Sequence, residues 1–391
     1  LENPDLSKTL ISFPEKKEKL MRTKLFAIAM MAFLLLVVAA CQSGDPEKAA
    51  LKSAMTDGAE PSSECDRACL EGYVDRYMDA MLAHDPGNTL FDADCRFTEN
   101  GVQLPLGNEG LWSTMVGKGT YKFYVPDVET QQVAFIGTAR EETAQPGAGN
   151  PVAVALRLKI RGGLITEAEQ LVMRPESNLL DPTRKRPPSA AENIEKMGGP
   201  HPVYLEVIPP EERPSREEMI RIANMYFSGL QRNDGKGEYP FSDDCDRYEN
   251  GGRATNVPLR PGQKRPDPLT EVSYSSAWGC KEQFQSGLMH FVSRIRDRRF
   301  VAVDRERGIV FTFNFFDHAA GKTRRFQSPD GRDLVAGPTE PWTWQQAELF
   351  KIEKGNIRRI EAVLQRCPYG MNSGWSTYEQ GLSEEIQDIR E

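Results

Sequence analysis

Asp317 and His318 close an aromatic strand-like run, IVFTFNFF, at residues 309–316. Successive side chains of a strand point to opposite faces, so Phe311, Phe313 and Phe315 share one face and Thr312, Asn314 and Phe316 the other. Continuing that alternation puts Asp317 with the Phe row and His318 with Asn314. Such a row, ending in a carboxylate and an imidazole, reads either as a pocket wall able to move protons or as a strand packed on helices with a solvated Asp-His turn. Glu99 and Glu249 each open a Glu-Asn-Gly phrase. A carboxylate held there in apolar surroundings would serve as acid or base. The simpler reading is a tight turn, with Asn and Gly at positive φ and Glu accepting backbone donors. Arg247 stands two residues before Glu249.

RIRDRRF at 294–300 carries four Arg and one Asp. It reads as a salt-bridged, solvated face, or, if it faced a pocket, as a site for a carboxylate or phosphate. Tyr124, with Trp112, Tyr121 and Phe123, and also Trp342, Trp344 and Trp375, are candidates for stacking walls that core packing would explain equally well. The chain has four His and no HExxH, CxxC pair, GxSxG elbow, phosphate-binding Gly loop or dinucleotide fingerprint. No metal and no cofactor is therefore expected. The balance of 49 basic against 57 acidic residues, net −8, argues against nucleic acid as a partner.

These residues sit in a duplicated frame. FDADCRFTENG (91–101) aligns without gaps to FSDDCDRYENG (241–251), with six of eleven positions identical. Downstream, ALRLKIRGGLITEAEQLVMR (155–174) aligns to AELFKIEKGNIRRIEAVLQR (347–366), keeping Lys159/Lys351, Ile160/Ile352, Gly163/Gly355, Glu169/Glu361 and Arg174/Arg366 in register. A helical pattern precedes each first motif, at 69–85 and 216–234. The second has Ser215 as N-cap and Glu218 three residues on, the spacing of a capping box. Strand-like runs follow, with hairpin turns at Gly162-Gly163 and Lys354-Gly355-Asn356. Helices first and an antiparallel sheet after is the order of an α+β fold. Residues 176–214 hold eight prolines and read as a linker, 252–279 as a Pro/Gly-rich insertion, and 376–391 as an acidic tail, solvated helix or disordered.

Sixteen uncharged residues, LFAIAMMAFLLLVVAA (25–40), follow Met21, Arg22 and Lys24. That length suits a signal-peptide core better than a membrane span. The run ends Val38-Ala39-Ala40-Cys41, which resembles the lipobox of bacterial lipoproteins, in which the cysteine is lipidated. Gln42 resembles the second residue of lipoproteins sorted to the outer membrane. The expected organisation is an over-extended start (1–20), signal peptide (21–40), tether (41–60), first domain (61–175), linker (176–214), second domain (215–375) and tail (376–391). Removing the first forty residues takes the net charge from −8 to −10, because the only uncompensated charges there are Arg22 and Lys24. Of seven cysteines, six then remain for an oxidising compartment. Cys245–Cys280, flanking the insertion, is the favoured disulfide, while Cys65, Cys69, Cys95 and Cys367 stay open.

The phrases YMDAMLAHDP, FDADCRFTENG and KIRGGLITEAEQLVMR resemble the nuclear transport factor 2-like superfamily, and within it the SnoaL-like polyketide cyclases and secreted tandem proteins. The resemblance implies two cone-shaped domains, each a strongly curved, mostly antiparallel sheet wrapped around N-terminal helices, with an apolar pocket open at one end. On it rests the expected function, an outer-membrane lipoprotein enclosing a small, partly aromatic or hydrophobic ligand, with cofactor-free lyase, isomerase or hydrolase activity. Asp317 and His318 would then be the acid–base pair, with Glu249 or Arg247 beside them and Phe311, Phe313, Phe315, Glu99 and Tyr124 lining the ligand. The alternative is a non-catalytic module, two domains packed sheet to sheet and presenting a surface to an envelope partner.

Overall fold

Asp66 starts the first helix by accepting a hydrogen bond from Cys69 N at 2.9 Å. The computed structural model describes residues 64–142, 149–175 and 187–390. The expected signal peptide, Cys41 and the expected tether lie outside the described residues. Helix α1 (Arg67–Leu82) buries Leu70, Tyr73, Val74, Tyr77, Met78 and Met81. This stripe packs on a sheet built from β1 (Phe91–Glu99), β2 (Val102–Gln103), β3 (Met115–Asp127), β4 (Gln132–Glu141), β5 (Asn150–Arg161) and β6 (Leu164–Met173), with short helix α2 (Leu111–Thr114) before β3. The strand order is β2-β1-β6-β5-β4-β3. Only β1–β6 is parallel.

The second unit repeats the first. Helix α3 (Ala190–Lys196) belongs to the linker. Helix α4 (Arg216–Arg232) opens the repeat and ends at Asn233, φ +45°. Ser215 accepts from Glu218 N, but the Glu218 carboxylate bonds Arg221 instead of closing the capping box. The strands are β7 (Phe241–Glu249), β8 (Gly252–Arg253), β9 (Arg294–Asp304), β10 (Ile309–His318), β13 (Trp342–Glu353) and β14 (Asn356–Cys367). Helix α5 (Cys280–Gln285) precedes β9, and a separate hairpin, β11 (Arg325–Gln327) with β12 (Asp333–Val335), enters between β10 and β13. The order β9-β10-β13-β14-β7-β8 mirrors the first sheet, again with one parallel pair, β7–β14, inside the repeat. The result is two curved mixed sheets.

The recurring Glu-Asn-Gly phrase has a backbone cause. Asn100 and Gly101 take φ +52° and +78°, and Asn250 and Gly251 take +49° and +72°. Each Asn side chain then acts as a strand partner: Asn100 exchanges hydrogen bonds with Val172 N and O, and Asn250 with Leu364 N and O. The phrase therefore locks the first strand of each unit to the last.

The two sheets pack face to face. Phe123, Val125, Ile136, Ala155 and Leu171 of the first meet Val301, Phe311, Phe313, Leu349 and Val363 of the second in one buried cluster. The Pro-rich linker is no simple spacer. Its helix α3 has a full capping box, Ser189 with Glu192, and Ala191, Ile194, Val203 and Tyr204 join that same cluster. The acidic tail also departs from expectation. It forms helix α6 (Tyr378–Leu382) and strand β15 (Ile386–Asp388), which pairs in parallel with β9. The edge of β9 offers unpaired backbone groups, and Asp388 and Ile389 find partners in Arg216 and Gln132.

Disulfides join Cys245 to Cys280 and Cys65 to Cys69, and Cys95 and Cys367 are free thiols. Burial pushes both free thiols up to about 12, which leaves them protonated and unreactive. The 35-residue separation between Cys245 and Cys280 corresponds to about 3–4 kcal/mol of loop-closure stabilisation. Cys280→Ser is therefore expected to lower the free energy of unfolding by about that amount, seen as a lower denaturant midpoint. A midpoint unchanged in oxidising buffer would refute the estimate.

Candidate active site

Strands β10 and β13 are buried on both faces, and their even-numbered residues face the interior of the second unit. The register pairs Thr312 with Glu348, Asn314 with Gln346, Phe316 with Trp344 and His318 with Trp342. Part of this layer is polar and internally bonded. Asn314 Nδ2 donates to Thr312 Oγ1 at 3.1 Å, and Gln346 Nε2 to Asn314 Oδ1 at 2.7 Å and Glu348 Oε2 at 3.1 Å. Beyond it lies a cavity of about 230 Å³. Arg247, Glu348, Gln346 and Tyr226 form its buried floor, and Trp342, Trp344, Phe291 and Tyr274 its half-buried rim.

The electrostatics follow from burial. Burial drives the Glu348 carboxyl up to about 8, the nearby Arg247 charge and Tyr226 hydroxyl pulling it back and Glu249 reinforcing the rise. Burial also drives His318 down to about 4, against smaller opposing effects from the Phe316 and Trp342 backbone and Asp317. His318 is stacked on Trp342, ring centroids 3.8 Å apart, and neither ring nitrogen makes a hydrogen bond of good geometry, the Phe316 and Trp342 carbonyls acting on the ring only weakly. At neutral pH both groups are uncharged. Arg247 remains charged. It donates to Tyr226 Oη at 3.2 Å and Gln283 Oε1 at 2.9 Å, with Glu249 Oε1 3.4 Å from its Nε. A protonated carboxylic acid, a neutral imidazole and a buried guanidinium around one cavity can donate, accept and stabilise developing negative charge without a metal.

The sequence candidates divide between this cavity and other places. Arg247, Glu249 and His318 line it. Asp317 does not. It points to the opposite face of β10, where Arg294, Arg296 and Thr343 bond its carboxylate at 2.6–2.9 Å and, against the effect of burial, hold it below its ordinary pKa. Phe311 and Phe313 belong to the contact between the sheets, and Phe315 lies 4.7 Å under Arg296. Glu99 caps α2 through Leu111 N at 2.8 Å and bonds Gln170 and Arg174. Tyr124 donates to Asp75 of α1. The arginine run is neither solvated nor an anion site. Arg296, Arg298 and Arg299 are buried, and their guanidinium groups are engaged respectively by Asp317, by residues of α4 and by Glu169. Among the described residues no cluster of three or more His, Cys, Asp or Glu is placed to hold a metal ion.

A sequence model of the family described as domain of unknown function DUF8021 matches residues 63–172 and again 212–364. The chain belongs to that family. No curated protein matches this DUF8021 chain in sequence. Among solved structures it is similar to AclR of Streptomyces galilaeus, a candidate hydroxylase, at 14% identity over 39% of this chain and 83% of that one, TM-score 0.24. It is also similar to a de novo designed protein with a curved β-sheet (17%, 39% and 88%, TM-score 0.21) and to an NTF2-like protein from Anabaena variabilis (12%, 39% and 92%, TM-score 0.20).

The two DUF8021 segments can be compared position by position, because their sheets share one register. Phe97 faces Ala168 as Arg247 faces Ile360, and Phe135 faces Leu156 as Thr312 faces Glu348. The first segment fills these sites with Phe97, Phe135, Val154 and Leu156, all buried in its own core. The second substitutes Arg247, Thr312, Gln346 and Glu348. Sequence reasoning passed over Glu348 and Gln346, yet the signal was present in the alignment of the copies. Where one repeat keeps an apolar core residue, the other has an ionisable or amide side chain.

Proposed function

We propose that the second unit is the working domain and encloses a small, partly aromatic or hydrophobic ligand, on which it acts as a cofactor-free lyase, isomerase or hydrolase. The observation that carries this reading is the exchange of Phe97 and Leu156 for Arg247 and Glu348 at matched positions of a duplicated sheet. Burying a charge and a carboxyl where the twin has a packed apolar core costs stability, so function is the better account of their presence. Glu348 is assigned proton donation and return, Arg247 the stabilisation of negative charge, and His318 the positioning of a polar substituent. The apolar interior of the first unit, together with its sheet-to-sheet contact, favours a supporting, non-catalytic role for that unit.

Arg247→Phe/Glu348→Leu writes the first unit's residues into the second. In a small-molecule screen by thermal shift, compounds that stabilise the wild type are expected to lose their effect on this double variant, which itself stays folded because apolar residues replace buried polar ones. Ligand shifts of equal size in both proteins would sink the reading, as would a wild type that no compound stabilises.

We also propose that the chain is lipidated at Cys41 and held at the outer membrane facing the periplasm. Cys41→Ser is expected to move it from the membrane fraction to the soluble periplasmic fraction, since stable anchoring needs the acyl chains. Unchanged retention in the membrane would refute lipidation.

A further inference from the structure

We infer that the cavity of the second unit takes a planar ring carrying a carboxylate, seated with the carboxylate on Arg247 and the Glu348 hydroxyl and the ring between the rim aromatics. This rests on the proposal that the cavity is a small-molecule site and names its substrate class.

Arg247 argues for an anion. Its side chain is 3% exposed, and a guanidinium has five N–H donors. Its two hydrogen-bond acceptors here, Tyr226 Oη and Gln283 Oε1, are both neutral, and its Nε is buried without a hydrogen-bond partner. The anion beside it, Glu249, sits at the mouth and is 37% exposed. The floor therefore holds a buried cation with donors to spare. A carboxylate matches it, because its two oxygens accept from the guanidinium and from a protonated Glu348 together. A phosphate dianion fits less well, since the cavity lining contains one guanidinium and no lysine.

The rim argues for a ring. Trp342 and Trp344 meet edge to face with centroids 4.5 Å apart, and Tyr274 stacks on Phe291 at 5.7 Å. Phe291 and Trp342 also stack on His318, at 5.8 and 3.8 Å, so the rim is a run of aromatic rings that a planar ring extends and an aliphatic acid does not. The nitrogens of His318, which lack a hydrogen bond of good geometry, are one a donor and one an acceptor in the neutral imidazole, and suit a ring N–H or hydroxyl. A volume of about 230 Å³ accommodates one or two fused rings with a carboxylate.

The same geometry makes binding pH-dependent. The groups facing Glu348 are Arg247 and Glu249 from β7, Tyr226 from α4, His318 from β10 and Tyr274 from the insertion. Once Glu348 ionises, a bound carboxylate faces a second carboxylate and loses the hydroxyl donor.

The test is calorimetric titration of the full chain with indole-3-carboxylate, indole-3-carboxamide and acetate at about pH 6.5 and pH 9.5, either side of the Glu348 transition. Wild type is expected to bind indole-3-carboxylate at least about tenfold more tightly than the carboxamide or acetate at the lower pH. That affinity is expected to fall about tenfold at the higher pH in wild type and to stay level in Glu348→Gln. Arg247→Met is expected to abolish the preference for the carboxylate. Equal or tighter binding of the carboxamide overturns the carboxylate assignment and leaves the cavity as a small-molecule site. Binding of neither ring compound overturns the ring-carboxylate assignment, and the small-molecule reading then stands or falls on the thermal-shift screen. A preference surviving in Arg247→Met, or a pH dependence surviving in Glu348→Gln, overturns the assigned seat. The Glu348→Gln arm decides the matter if Arg247→Met does not fold.

Discussion

Arg216→Ala is expected to cost about 3–5 kcal/mol, the range for breaking a buried ion pair from one side. Arg216 stands in the first turn of α4, 2% exposed, with Asp127 at the end of β3 fully buried against it. Asp127 is shared between the repeats, because the same Oδ2 also accepts from Val303 N of β9 at 2.9 Å. Arg216 in turn reaches Asp388 of the tail strand, Nε to Oδ1 at 3.0 Å. One guanidinium therefore holds the first unit, the second unit and the tail. Alanine leaves Asp127 fully buried without its cation, while Asp388 keeps only Arg390, at 2.7 Å. Asp127 has no water to turn to, which is why the loss exceeds that of an exposed pair. The check is urea unfolding followed by amide hydrogen exchange. Loss of stability should come with faster exchange in β15 and in the facing strands β3 and β9. A cost below about 1 kcal/mol, or a loss confined to α4, would show that the junction does not depend on this charge.

Much of the architecture is legible in the sequence alone, and the reasons are local. The Glu-Asn-Gly phrase recurs because each copy needs an Asn at positive φ to clamp its last strand. The turns at Gly162-Gly163 and Lys354-Gly355 are legible because two successive residues take positive φ, at +55° and +80° and at +50° and +77°. The site was legible only in part. Alternation correctly separated Phe311 and Phe313 from Thr312 and His318, but it could not say which face looks inward. In a one-sided sheet the apolar row marks the core. Here both faces are buried, so the apolar row marks the other sheet and the mixed row marks the cavity. Asp317 went with the Phe row and so away from the chemistry. Glu348 was overlooked for a related reason, since a Glu within a strand usually reads as facing solvent. The tail escaped because an isolated acidic segment carries no sign of the strand edge and the arginine that receive it.

Glu348→Gln is expected to abolish one whole component of the pH dependence of stability. In the folded chain the Glu348 carboxyl titrates near 8, against an ordinary value of 4.5. Below pH 4.5 both the folded and the unfolded chain hold this proton, and Glu348 contributes no pH dependence. Between 4.5 and 8 the folded chain holds it and the unfolded chain does not, so stability falls as pH rises. At about 1.4 kcal/mol per pKa unit, the loss is on the order of 3–5 kcal/mol by pH 9. His318 acts with the opposite sign. Its pKa falls from 6.5 to about 4, so its contribution is present above 6.5 and is lost as pH falls toward 4. Glutamine keeps the hydrogen-bonding shape at 348 without ionising. The variant should therefore match wild type near pH 4.5, exceed it by several kcal/mol at pH 9, and keep the acid limb that belongs to His318. Urea midpoints measured from pH 4 to 9 would decide it, and parallel curves for the two proteins would mean that Glu348 is ionised in the folded state at neutral pH. That result would also remove the proton donor from the proposed chemistry, because a site with Arg247, Glu249 and an ionised Glu348 carries net negative charge and would repel the anion that the buried guanidinium otherwise attracts.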